Sequence, residues 1–91
     1  MAVIHIRRDH ALGLEAARSR VEQIARAIQE QLDTEHEWHG NELHLKRSGA
    51  SATIDVAADT VDLTIRLGLL LSPLKGRLEA TIQDRLDEVL T

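Results

Sequence analysis

The 91-residue sequence predicts an α+β fold: one antiparallel sheet with two helices packed on one face, in the order β-α-β-β-β-β-α. Three observations predict it. Apolar residues recur at helical spacing in two segments, one after Gly13 and one after Gly68. Between the segments the period is two. The period-two stretches are joined by short turn signals, and the pairings these imply put their apolar residues on a common face.

The first element is "VIHIR", Val3 to Arg7, which alternates and is rich in β-branched residues. "RDHALG" connects it to a helix beginning at Leu14. Leu14, Ala17, Val21, Ile24, Ala25, Ile28 and Leu32 fall within an arc of about 100°. Glu15, Arg18, Glu22, Arg26 and Gln29 take the other side, making an amphipathic helix of about five turns.

Thr34, His36 and Trp38 then alternate with Glu35, Glu37 and His39. Gly40-Asn41 reads as a two-residue hairpin turn, because glycine accepts the positive φ of a type II′ turn. It sets Trp38 opposite Leu43, Glu37 opposite His44, His36 opposite Leu45 and Glu35 opposite Lys46. Gly49-Ala50, read the same way, sets Leu43 opposite Val56, Leu45 opposite Ile54, His44 opposite Asp55 and Lys46 opposite Thr53. A connection around "AADT", Ala57 to Thr60, sets Val56 opposite Val61, Ile54 opposite Leu63 and Ala52 opposite Ile65. Four strands thus share one apolar face. With the first strand beside the fifth, the expected sheet order is 1-5-4-3-2, and the first helix crosses from one edge to the other.

Ser72-Pro73 marks the start of the last helix, with Ser as cap and Pro in the first turn. Leu71, Leu74, Leu78, Ile82, Leu86, Val89 and Leu90 form its apolar stripe. Leu69, Leu70 and Leu71 fall in the connection before it and are expected to cover the open end of the core.

Bulk properties narrow the function. Apolar residues make up 43 % and charged residues 29 %, a globular balance for one domain, 1–91. Trp38 is the only aromatic residue, so the core is aliphatic. With no cysteine, disulfides, thiolate catalysis and cysteine zinc sites are excluded. A net charge of −4 and the absence of Phe and Tyr argue against a nucleic-acid partner. "MAVIHIRRDH" has no apolar signal-peptide core, and the apolar run Leu67 to Leu74 is far short of a membrane span, so a cytoplasmic location is expected.

The expected register lines up Glu37, His44, Asp55 and Asp62 across the polar face, with His39 nearby. Two carboxylates flanking a histidine suit a divalent ion or an acid–base pair. A solvated, charge-paired sheet face is the better reading, because a flat face has no cleft to exclude water. No catalytic residue, cofactor or metal is expected. Arg8 and His10, ahead of a helix N-terminus, suit an anion or a partner. The structural reading is preferred: the last helix ends near this loop and brings Asp84, Asp87 and Glu88 within reach of Arg8. No glycine-rich phosphate loop accompanies Arg8 and His10. Lys75 and Arg77, at the start of that helix, are candidate contacts for an acidic partner or a lipid headgroup.

"IRRDHALGLEAAR" and "LGLLLSPLKGRLE" resemble the polyhydroxyalkanoic acid system family of small bacterial proteins. The first match rests on Arg7, Arg8, His10, Leu12, Gly13, Ala17 and Arg18. The second rests on Leu67, Gly68, Leu70, Leu71, Pro73, Lys75, Gly76 and Glu79. Trp38-x-Gly40 and Arg47-Ser48-Gly49 lie between them. The resemblance implies association with polyhydroxyalkanoate granule genes, no established reaction and no catalytic residues. The expected function is a non-enzymatic accessory or interaction protein of polyester storage, granule-associated, with a protein partner. The alternative is a small apolar-ligand carrier of reduced helix-grip shape. Homo-oligomerisation is left open.

Overall fold

The chain runs β1 (Ala2–Asp9), α1 (Leu14–Leu32), β2 (Glu35–His39), β3 (Glu42–Arg47), β4 (Ala50–Val56), β5 (Thr60–Leu67) and α2 (Lys75–Val89), with a 3-10 turn at Ser72–Leu74 before α2. This computed structural model describes residues 1–90. The five strands form one antiparallel sheet in the order β1-β5-β4-β3-β2. Both helices pack on the same face, as the sequence predicts.

α1 joins the two edge strands. Its 19 residues give an axis of about 28 Å. Four interstrand gaps span about 19 Å, so a single helix can cross the sheet obliquely. It buries Val21, Ile24, Ile28 and Leu32 against the sheet, and α2 adds Leu78, Ile82, Leu86 and Val89. From below, Ile4, Leu43, Leu45, Ile54, Leu63 and Ile65 meet them, each at most 1 % exposed. Trp38 lies opposite Leu43, half-buried against this core. Arg18 of α1 lies over its ring at 4.5 Å, and its indole N–H donates to Glu22.

The first hairpin has the predicted register at every pair. Gly40 has φ +62 and Asn41 is not left-handed, as a type II′ turn requires. The second hairpin does not follow the prediction. Its turn residues are Ser48-Gly49, not Gly49-Ala50, and Gly49 takes its positive φ of +83 in the second position. The register therefore moves by two residues. Leu43 faces Ile54, Leu45 faces Ala52, His44 faces Thr53 and Lys46 faces Ser51. A shift of two preserves which side chains point inward, so the core survives the correction. The pairing of β4 with β5 is as predicted.

Two further expectations are corrected where β5 gives way to α2. The Ser72 hydroxyl does not cap the helix. It donates back to the Gly68 carbonyl at 2.9 Å, and α2 begins without a side-chain cap. Leu69 and Leu70 do not cover the core: they are 82 % and 94 % exposed, and only Leu71 packs inward.

Candidate interaction site

The four candidate residues lie at opposite ends of the sheet. Arg8 and His10 are where β1 passes to α1; Lys75 and Arg77 follow the far end of β5. Arg8 projects from the helix-covered side of β1, and its guanidinium pairs with the Asp87 carboxylate of α2. His10 closes the neighbouring loop. Its Nδ1 accepts from the Leu12 N–H at 3.1 Å, which leaves Nε2 to carry the proton and donate to the Ala57 carbonyl at 3.2 Å. Both ring nitrogens of His10 and one terminal nitrogen of Arg8 are thus engaged within the fold.

The other end is built differently. The Gly68 N–H donates to the Gly49 carbonyl at 2.7 Å, so the chain leaving β5 touches the β3–β4 turn. A Cβ on Gly68 would stand 3.2 Å from that carbonyl oxygen, which is why this approach suits glycine. The Gly68 carbonyl then accepts from the N–H groups of Leu71 and Ser72, at 3.1 and 3.0 Å. Leu69 and Leu70 become the two central residues of a hydrogen-bonded turn, and their side chains are driven outward. Beside them runs a cleft of about 380 Å³ lined by Arg47, Ser48, Gly49, Gly68 and Leu69–Leu71. Arg47 is held there because its guanidinium donates to the Leu32 carbonyl at the end of α1, at 2.9 Å, satisfying one of the helix's open carbonyls. Lys75 and Arg77 are exposed in the first turn of α2. The site is therefore an apolar projection with cationic side chains on neighbouring elements.

Sequence reasoning missed the exposed leucines because it counted them by hydropathy. The signal available was their position between Gly68 and Ser72-Pro73, a segment too short to fold back over the core. The predicted row on the polar face is dispersed by the two-residue shift. Asp55 now faces Glu42, and His44 faces Thr53, with Glu42 of its own strand 3.4 Å away. Asp62 bonds His5 at 2.7 Å, and Glu37 lies 3.6 Å from His39. Among the described residues, no three such side chains are grouped to hold a metal ion, and no helix is long and apolar enough to cross a membrane.

No curated protein and no solved structure matches the chain. One family does, described as "putative polyhydroxyalkanoic acid system protein", over residues 4–90. That span takes in β1 through α2 and both segments on which the resemblance rests, and the chain belongs to the polyhydroxyalkanoic acid system family.

Proposed function

We propose that the protein is a non-enzymatic accessory of the bacterial polyhydroxyalkanoate system, working in the cytoplasm by binding a protein partner at the storage granule. The observation that carries this is the Leu69–Leu70 turn, 82 % and 94 % exposed and pinned in place by backbone hydrogen bonds. Burying two leucines contributes roughly 3–6 kcal/mol. The loss of translational freedom on binding offsets much of it, so the contact also needs the cationic side chains nearby, which a charged protein surface can answer and an uncharged polyester cannot. The partner is an apolar pocket with an acidic rim, complementary to Arg47, Lys75 and Arg77. The carrier alternative requires an apolar hollow between sheet and helices. There Ile24, Ile28, Leu43, Leu45, Leu63 and Ile82 are each 0 % exposed, which favours the interaction reading.

Co-sedimentation with granules tests this. Native granules with their protein coat should retain the chain, and protein-free polymer particles should not. The double variant Leu69→Ser/Leu70→Ser should lose retention without losing stability. Equal, salt-insensitive retention on bare particles would show direct contact with the polymer and overturn the proposal.

A further inference from the structure

Both helices cover one face of the sheet; among the described residues, nothing covers the other. The pairing register sorts its outward side chains into rows running from β1 to β2. One row is Arg7, Asp62, Asp55, Glu42 and His39. The next is His5, Thr64, Thr53, His44 and Glu37. The third is Val3, Arg66, Ser51, Lys46 and Glu35. The first row is acidic on its three inner strands, and the third is basic on β5 and β3. The middle row carries only threonines and histidines from β1 to β3. Rows two residues apart are separated by about 6.7 Å, so the acidic and basic rows flank the middle one at equal distance.

This arrangement is self-complementary in one orientation. A two-fold axis lying over the middle row turns a second copy face-down and exchanges the outer rows. Asp62 then meets Arg66 of the second copy, Glu42 meets Lys46 and His39 meets Glu35, and each contact occurs twice. An axis along the strands does the opposite: it stacks Asp62 on Glu42, Arg66 on Lys46 and Asp55 on itself. Charge therefore selects the first orientation. Within the chain, Arg66 and Lys46 have no ion-pair partner among the described residues, and the acids they would meet, Asp62 and Glu42, contact the histidines His5 and His44.

We propose that two copies of this chain associate through the open faces of their sheets, with the acidic row of each against the basic row of the other. Face-packed sheets lie about 10 Å apart with their strands about 30° from alignment, a gap that Arg and Lys side chains reach across. That rotation displaces side chains least around the central strand, β4, and its neighbours β5 and β3 carry the charged pairs. Glu37 is the charged residue that meets its own copy. It sits on the edge strand with 76 % of its side chain exposed, where solvent screens it. So polar an interface makes the association weak and sensitive to salt.

Sedimentation of the full chain tests this independently of any granule partner. It should be dimeric at about 0.01 M salt, where charges are felt over about 30 Å, and monomeric at about 1 M, where that length is about 3 Å. Asp62→Arg alone or Arg66→Asp alone makes both copies of the pair repulsive and should weaken the dimer about tenfold or more. Mixing the two variants should restore it, because each reversed charge then meets its opposite. Glu42→Lys and Lys46→Glu repeat the exchange on β3 if a β5 variant fails to fold. A chain that is monomeric at low salt overturns the proposal. So does a dimer indifferent to these reversals, which would be paired through the edge strand β1 or the exposed leucines.

Discussion

Where β1 runs into α1, polar side chains are tied down: Arg8 to Asp87, and His10 to Leu12 and Ala57. Where β5 leaves for α2, two leucines stand in water and the hydrogen bonds lie beneath them, in the backbone of Gly68. Only the second end inverts what its residue types suggest. Arg8 meets an acid at the end of the last helix, as the expected topology allows, and His10 closes the adjoining loop. Leucines before a helix look like core, and here they are surface. Residue type sets what a side chain can do, but the local backbone path decides whether it meets protein or solvent. A turn pinned at Gly68 leaves Leu69 and Leu70 no route inward.

Four measurements test this contrast. The largest effect is expected for a leucine that is in the core. Leu63, 0 % exposed on β5, should cost about 2–5 kcal/mol when replaced by alanine, read by chemical denaturation. Leu70→Ala should change stability by less than about 0.5 kcal/mol. Similar losses at the two sites would mean that Leu70 is covered in solution.

The turn beneath the leucines comes next. Gly49 at φ +83 should lose about 1–2 kcal/mol on replacement by alanine, because a Cβ crowds the left-handed backbone there. An unchanged denaturation midpoint would show that the β3–β4 turn has another geometry.

At the opposite end, Arg8→Ala should cost less than about 1 kcal/mol, because the Asp87 side chain is 62 % exposed and solvent screens the pair. Most of that loss should vanish in an Asp87→Ala background if the pair is its source. A full loss in that background would place the contribution of Arg8 elsewhere. The smallest stability effect is expected for Leu69→Ser/Leu70→Ser, within about 0.5 kcal/mol of the parent, even as granule retention is lost. A large destabilisation would remove these residues as a contact surface and return them to the core.

The elements, their order and the two faces of the sheet were legible in the residue pattern. Periodicity is a local property: a period of 3.6 along α1 and α2, and of two along β2 to β5, can be read without knowing the neighbours. The register of the first hairpin was also legible, because Gly40-Asn41 admits one economical turn. The second hairpin was not, because Gly49 can serve at either turn position, and the choice moves the register by two without altering which residues face inward. Hydropathy is blind to such a shift; only cross-strand partners change, and with them the acidic and basic rows of the open face. The hold of Arg47 on the end of α1 came likewise from the tertiary fold. It depends on where two segments distant in sequence come to rest, which no local pattern records, whereas the Arg8–Asp87 pair was within reach in the expected topology and the exposure of Leu69 and Leu70 follows from the short path between Gly68 and Ser72-Pro73.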